Sequence, residues 1–156
     1  MLKIQKKLLL LRFCSECKRV LQGHAKIYNG LLTGVWKVSE GNSKRAEAVI
    51  GEWYHRTQNC IPDSSMNRLI DKVLNCDPNG RILIAKSILS AAKKAGIEKE
   101  DSDFLILTEK NMLAYTEWNG NELYEGDKVK VISPAWYQNG NIIEQGHCEI
   151  NEMGET

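Results

Sequence analysis

No stretch of this chain approaches the ~18 consecutive apolar residues a helix needs to cross a bilayer. The densest apolar run, Leu8 to Leu11, follows Lys6 and Lys7 as the start of a signal peptide would. Arg12 interrupts it, however, and no small-residue cleavage site comes after. We read the run as part of a helix and expect a cytoplasmic protein. Cysteines number five, and only Cys14 and Cys17 lie close together. An odd count without a secretory signal argues against a disulfide framework. The chain has no GxSxG, no P-loop and no GxGxxG opening a helix. Its three histidines, His24, His55 and His147, fall in no metal-pair spacing. Carboxylates are plentiful but scattered, so no general acid/base pair stands out. Internal repeats and low-complexity tracts are also missing. The expectation is a protein that is not an enzyme and carries no cofactor and no metal.

Composition is ordinary for a soluble domain, with 42% hydrophobic and 26% charged residues. Net charge is only +1, but it is unevenly spread. Residues 1–60 hold eleven Lys/Arg against four Asp/Glu, whereas residues 61–156 hold ten against sixteen. The two parts thus carry +7 and −6. Such a dipolar chain can steer toward a nucleic acid at one end or a basic protein surface at the other. A solvated helix face beside an acidic domain is the plainer reading.

The first part reads as helical. Leu10, Cys14, Cys17, Leu21, His24, Tyr28, Leu31, Val35 and Val38 follow the alternating four-three spacing of a heptad seam. The pattern predicts a helix from Lys3 to Val38, ~54 Å long, with coiled-coil character. Gly23, Gly30 and Gly34 weaken it, and a break is expected near Asn29-Gly30. A second helix is predicted from Asn42 or Ser43 to Gln58, on Ala46, Val49, Ile50 and Trp53. A third rests on Met66, Leu69, Ile70 and Val73. A fourth places Ile82, Ala85, Ile88, Leu89 and Ala92 on its buried face and ends at Ala95-Gly96.

After Gly96 the period changes from helical to alternating. Phe104–Leu107, Met112–Trp118, Lys128–Val131, Ile142-Ile143 and Cys148–Ile150 read as strands. Asn119-Gly120 and Gly126-Asp127 form turns between them, and Asn139-Gly140 forms a hairpin. The fold class is therefore α+β: a long N-terminal helix or helical bundle over 1–96, then a small β-rich domain over 97–156. Cys14-Ser15-Glu16-Cys17 has the spacing of half a zinc site. No second CxxC exists, and both thiols sit on the heptad seam, so they read as small core residues. Trp118, Trp136 and Tyr137 lie at turns, where aromatics serve either as contacts or as filling for a thin core.

Several segments carry a resemblance in their order: Leu89–Glu98, Leu107–Ala114, Glu125–Val129, and Tyr137–Ile143 ahead of Cys148–Ile150. Together they resemble the C-terminal head of GrpE-family nucleotide exchange factors. The resemblance implies a co-chaperone that binds the ATPase domain of a DnaK-type heat-shock chaperone and promotes ADP release in protein folding under stress. It also implies a homodimer joined through the seam. Carried over by position, Ile132, Asn141 and Ile150 are the head residues expected to touch the partner, with Trp136 and Tyr137 as neighbours. Asn141 stands where the family usually has arginine. An alternative reading takes the strands around Tyr124–Val131 as an SH3-like barrel. With the basic helical half, that would make a nucleic-acid-binding accessory protein.

Overall fold

The computed structural model of the chain describes residues 3–24, 31–41, 46–57 and 79–151. The chain divides into two compact units, Met1–Gly96 and Ile97–Thr156. The fold class is α+β.

The described part of the first unit is helical: α1 (Lys3–His24), α2 (Leu31–Ser39), α3 (Ala46–Thr57) and α4 (Gly80–Lys94). α1, α2 and α3 all pack on α4. α4 accepts them because its buried side is made of small and branched residues, Ile84, Ala85, Ile88, Ala91 and Ala92. The seam predicted for a twin is occupied inside the chain: Cys14, Cys17, Leu21, Leu31, Val35 and Val38 are all buried in a single copy. Leu10 is half-buried, while His24 and Tyr28 lie outside the residues whose side chains are described. The heptad spacing marked the apolar side of these helices, and an intramolecular neighbour satisfies it as well as a twin does. Lys3–Val38 is described as two helices, with 25–30 outside the described residues. Gly34, which argued against a helix, sits within α2. There it lets the backbone approach Val49 of α3, whose Cγ2 would lie 3.2 Å from an added Cβ. Trp53 of α3 is fully buried; burying such a side chain contributes roughly 3 kcal/mol. The predicted helix at Met66–Val73 falls outside the described residues.

The second unit begins with β1 (Ile97–Lys99) and β2 (Phe104–Ile106), then a single helical turn, α5 (Glu109–Met112). β3 (Tyr115–Glu117), β4 (Lys128–Ser133), β5 (Trp136–Gln138), β6 (Asn141–Glu144) and β7 (Gly146–Ile150) follow. They form two sheets, in the orders β1-β5-β6 and β2-β4-β7-β3. All pairs are antiparallel except β3 with β7. Pro134 follows β4 and has no N–H to extend its ladder, so the chain leaves the four-stranded sheet there and enters the three-stranded one. The strand expected over Met112–Trp118 is shorter than predicted. A capping box takes Met112 into α5: Thr108 Oγ1 accepts from the Asn111 N–H at 3.2 Å, and the Thr108 N–H donates to Asn111 Oδ1 at 2.6 Å. β1 and β5, three residues each, are too short to show alternation in sequence. The β5-β6 hairpin turns at Asn139-Gly140, where φ is 51° and 85°, as a type I′ turn requires.

The core of this unit is Leu107, Ala114, Tyr115, Val129, Ala135 and Cys148. Its tightest point is Gly146, at the start of β7. A Cβ there would lie 2.5 Å from the Ser133 carbonyl oxygen and 2.6 Å from both the Ala135 nitrogen and Tyr115 Cε1. Two of these are backbone atoms and cannot yield cheaply. Gly146→Ala is therefore expected to destabilise the chain by about 1–3 kcal/mol or more through overpacking, read as a lower urea midpoint at unchanged slope.

Candidate protein-docking face

The outer face of the four-stranded sheet is assembled by register. Phe104, Lys130 and Glu149 lie side by side across β2, β4 and β7. Ile106 pairs with Lys128, and Thr116 with His147. All seven of these side chains are exposed, and the alternate positions of the strands turn inward: Leu105, Val129, Val131 and Ile150 pack on the core.

Ile132 belongs to this face by alternation with Lys128 and Lys130. Val131 pairs with Cys148 and Ser133 with His147, and Ile132 between them has no partner in the register. Next to the Ser133–His147 pair stands Trp118, 64% exposed. Its indole meets the His147 imidazole edge-on, with centroids 5.9 Å apart and an interplanar angle of 82°.

Trp118 is held out by a buried carboxylate. Glu117 is 3% exposed, and its Oε2 accepts from the Asn119 N–H at 2.6 Å and from the Asn121 N–H at 3.0 Å. Its Oε1 accepts from Asn119 Nδ2 at 3.2 Å. The Trp118 N–H donates to the Cys148 carbonyl at 2.7 Å. Burial pushes the Glu117 acidity upward in pKa, and the hydrogen bonds from Asn121 and Asn119 outweigh it, leaving the carboxyl below its usual 4.5. Beneath the face, Cys148 is fully buried, and burial, with Glu117 and Asp127 nearby, raises its thiol to about 11. Tyr115 is raised as well, chiefly by burial, against the bond its hydroxyl accepts from the Ala135 N–H at 3.2 Å.

The five head residues expected from the sequence do not converge on one surface. Ile132 lies on the outer face. Ile150 pairs with buried Val129 and packs toward the core. Trp136 is 4% exposed on β5, so it is core filling and not a contact. Tyr137 is half-buried and packs against the core cluster. Asn141 is exposed at the start of β6, on the other sheet. The turn aromatics thus divide: Trp118 is the surface residue and Trp136 the core residue. Phe104 and His147 were missed as surface residues. The alternation of Gly146-His147-Cys148-Glu149 could have placed His147 outward, but Phe104 begins too short a strand to show its side. The CxxC lies on α1 with both thiols buried, and Lys94 Nζ lies 3.9 Å from Cys14 Sγ. Among the described residues no three His, Cys, Asp or Glu side chains are placed to hold a metal, and no helix is long and apolar enough to cross a membrane. Comparison with protein-family models, curated proteins and solved structures finds no match.

An exposed face that mixes aromatic, branched and charged groups suits protein contact, in which a few large side chains carry most of the energy. The supporting geometry makes two predictions. Because the Glu117 pKa is lowered on folding, its contribution is present above about 4.5 and is lost as pH falls through the lowered value. Glu117→Gln should remove that part of the acid sensitivity, so the drop in urea midpoint from neutral to acid pH is smaller in the variant. Cys148 should resist alkylation at neutral pH in the native chain and react only in denaturant, as read by peptide mass mapping.

Proposed function

We propose that this protein acts by binding: its β unit docks on the ATPase domain of a DnaK-type chaperone and favours the open nucleotide cleft, so that ADP leaves. The observation that carries the reading is Ile132. The GrpE resemblance selects this position, and alternation along β4 leaves it exposed on the outer sheet face that Trp118 and His147 border. An exchange factor needs no bond chemistry. It needs a surface that binds the open state more tightly than the closed one. In this reading the helical unit makes a second contact, as a long helix or bundle does in the family. The resemblance also implies a homodimer. Since the described seam residues, Leu10 aside, are buried within one chain, a twin would dock on another part of the helical unit.

A second reading draws on the same face. Lys128 and Lys130 alternate with Phe104 and Ile106 across the strand pair, and Trp118 stands nearby, as on surfaces where bases stack beside lysines. One experiment separates the two. The chain should accelerate release of fluorescent ADP from its cognate chaperone. Ile132→Ser and Trp118→Ser should each weaken the effect by about 1–2 kcal/mol. No acceleration at saturating protein sinks the exchange-factor reading. Salt-dependent binding of single-stranded RNA, lost in Trp118→Ser, would put the second reading in its place.

A further inference from the structure

The helical unit carries an open groove of about 450 Å³ between α1 and α4. From α1 come Lys7, Leu10, Leu11 and Cys14, spaced i, i+3, i+4, i+7. α4 supplies Leu83, Lys86, Ser87 and Ser90 at the same spacing, and Lys94 one turn further on. Each wall is therefore one continuous helical stripe. The groove follows α4 for about three turns, ~16 Å, and α1 for about two, ~10 Å. Its floor is apolar, and Leu11, at its edge, is 54% exposed.

The charges are of one sign. Lys7, Lys86 and Lys94 line the groove, and among the described residues no carboxylate does. Lys86 and Lys94 stand two turns apart, ~12 Å along the axis. We propose that this groove is a docking site for an acidic amphipathic helix of a partner protein. The apolar stripe of that helix lies on Leu10, Leu11 and Leu83. Its flanking carboxylates meet the lysines of both walls, in the helix-in-groove mode. A second copy of α1 is a poor occupant, because its own Lys7 would add to the positive charge of these lysines. A fatty acid is also a poor one, since a single carboxylate leaves two of three separated lysines unmatched. The long axis and open side likewise suit a helix over an enclosed small molecule.

The test uses the full chain and a fluorescent Glu/Leu peptide about 15 residues long, with leucines at i, i+3, i+4, i+7. A scrambled peptide of the same composition and charge serves as control. The expected result is saturable anisotropy for the amphipathic peptide that weakens with salt. Lys86→Glu with Lys94→Glu should weaken it by about tenfold or more, and so should Leu11→Ser. All three positions are exposed or line the open groove, so the variants should keep the wild-type circular dichroism spectrum. Equal binding of the scrambled peptide would overturn the proposal by reducing it to charge alone. So would no binding of either peptide, or oleate displacing a bound hydrophobic dye from the groove where the peptide does not.

Discussion

The β unit depends on one close approach. β7 is paired on both sides, antiparallel to β4 and parallel to β3, and it can lie there only because its first residue has no side chain. With Gly146 against the Ser133 carbonyl and the Tyr115 ring, the end of β4 is drawn over β7. The register then skips Ile132, and Ser133 is brought opposite His147. The Gly146 N–H donates to the Ala114 carbonyl at 2.9 Å, which fixes the start of β3 beside it. Part of the docking face is thus a consequence of core packing: the skip in pairing at Ile132 and the pairing that places His147 under Trp118 share this origin.

The face is also held from below by polar groups that water does not satisfy. Glu117 is buried yet fully engaged by the loop that follows it, so its charge orders the loop and keeps Trp118 outward. An exposed tryptophan on a mobile loop would lose rotational freedom on binding, and holding it in place beforehand lowers that cost. The same logic applies to Ile132, which is anchored in the longest strand of the unit.

In the helical unit the organising element is α4. Its small residues let three helices pack against it, and the apolar seam is consumed in the process. What remains outside is the groove along α1 and α4, where lysine stems and leucines stay open to a partner. Lysines from both ends of the helical unit, Lys7 on one wall and Lys86 and Lys94 on the other, are brought together there.

Much of this was legible in the sequence. The change from helical to alternating period after Gly96, the Asn139-Gly140 turn and the end of α4 are local properties, set by side-chain shape and backbone preference within a few residues. So were the apolar sides of the helices, since Cys14, Cys17, Leu21, Val35 and Val38 are buried as their spacing required. The partner that buries them was not legible, because a heptad records only that one side must leave water and not what covers it. Nor was the exchange of roles between Trp118 and Trp136, two aromatics in similar local contexts. One follows a strand whose carboxylate pins it outward, and the other lies in a strand whose side chain meets the core. The outward side of Ile132 follows from its alternation with Lys128 and Lys130, but the skip in pairing there was beyond local reading, since register is a property of strand pairs. Sequence alone determined most of the described helices and the longer strands, because their periodicity is a local property. Tertiary packing decided which apolar residues were left for a partner, because that depends on contacts between segments distant in sequence.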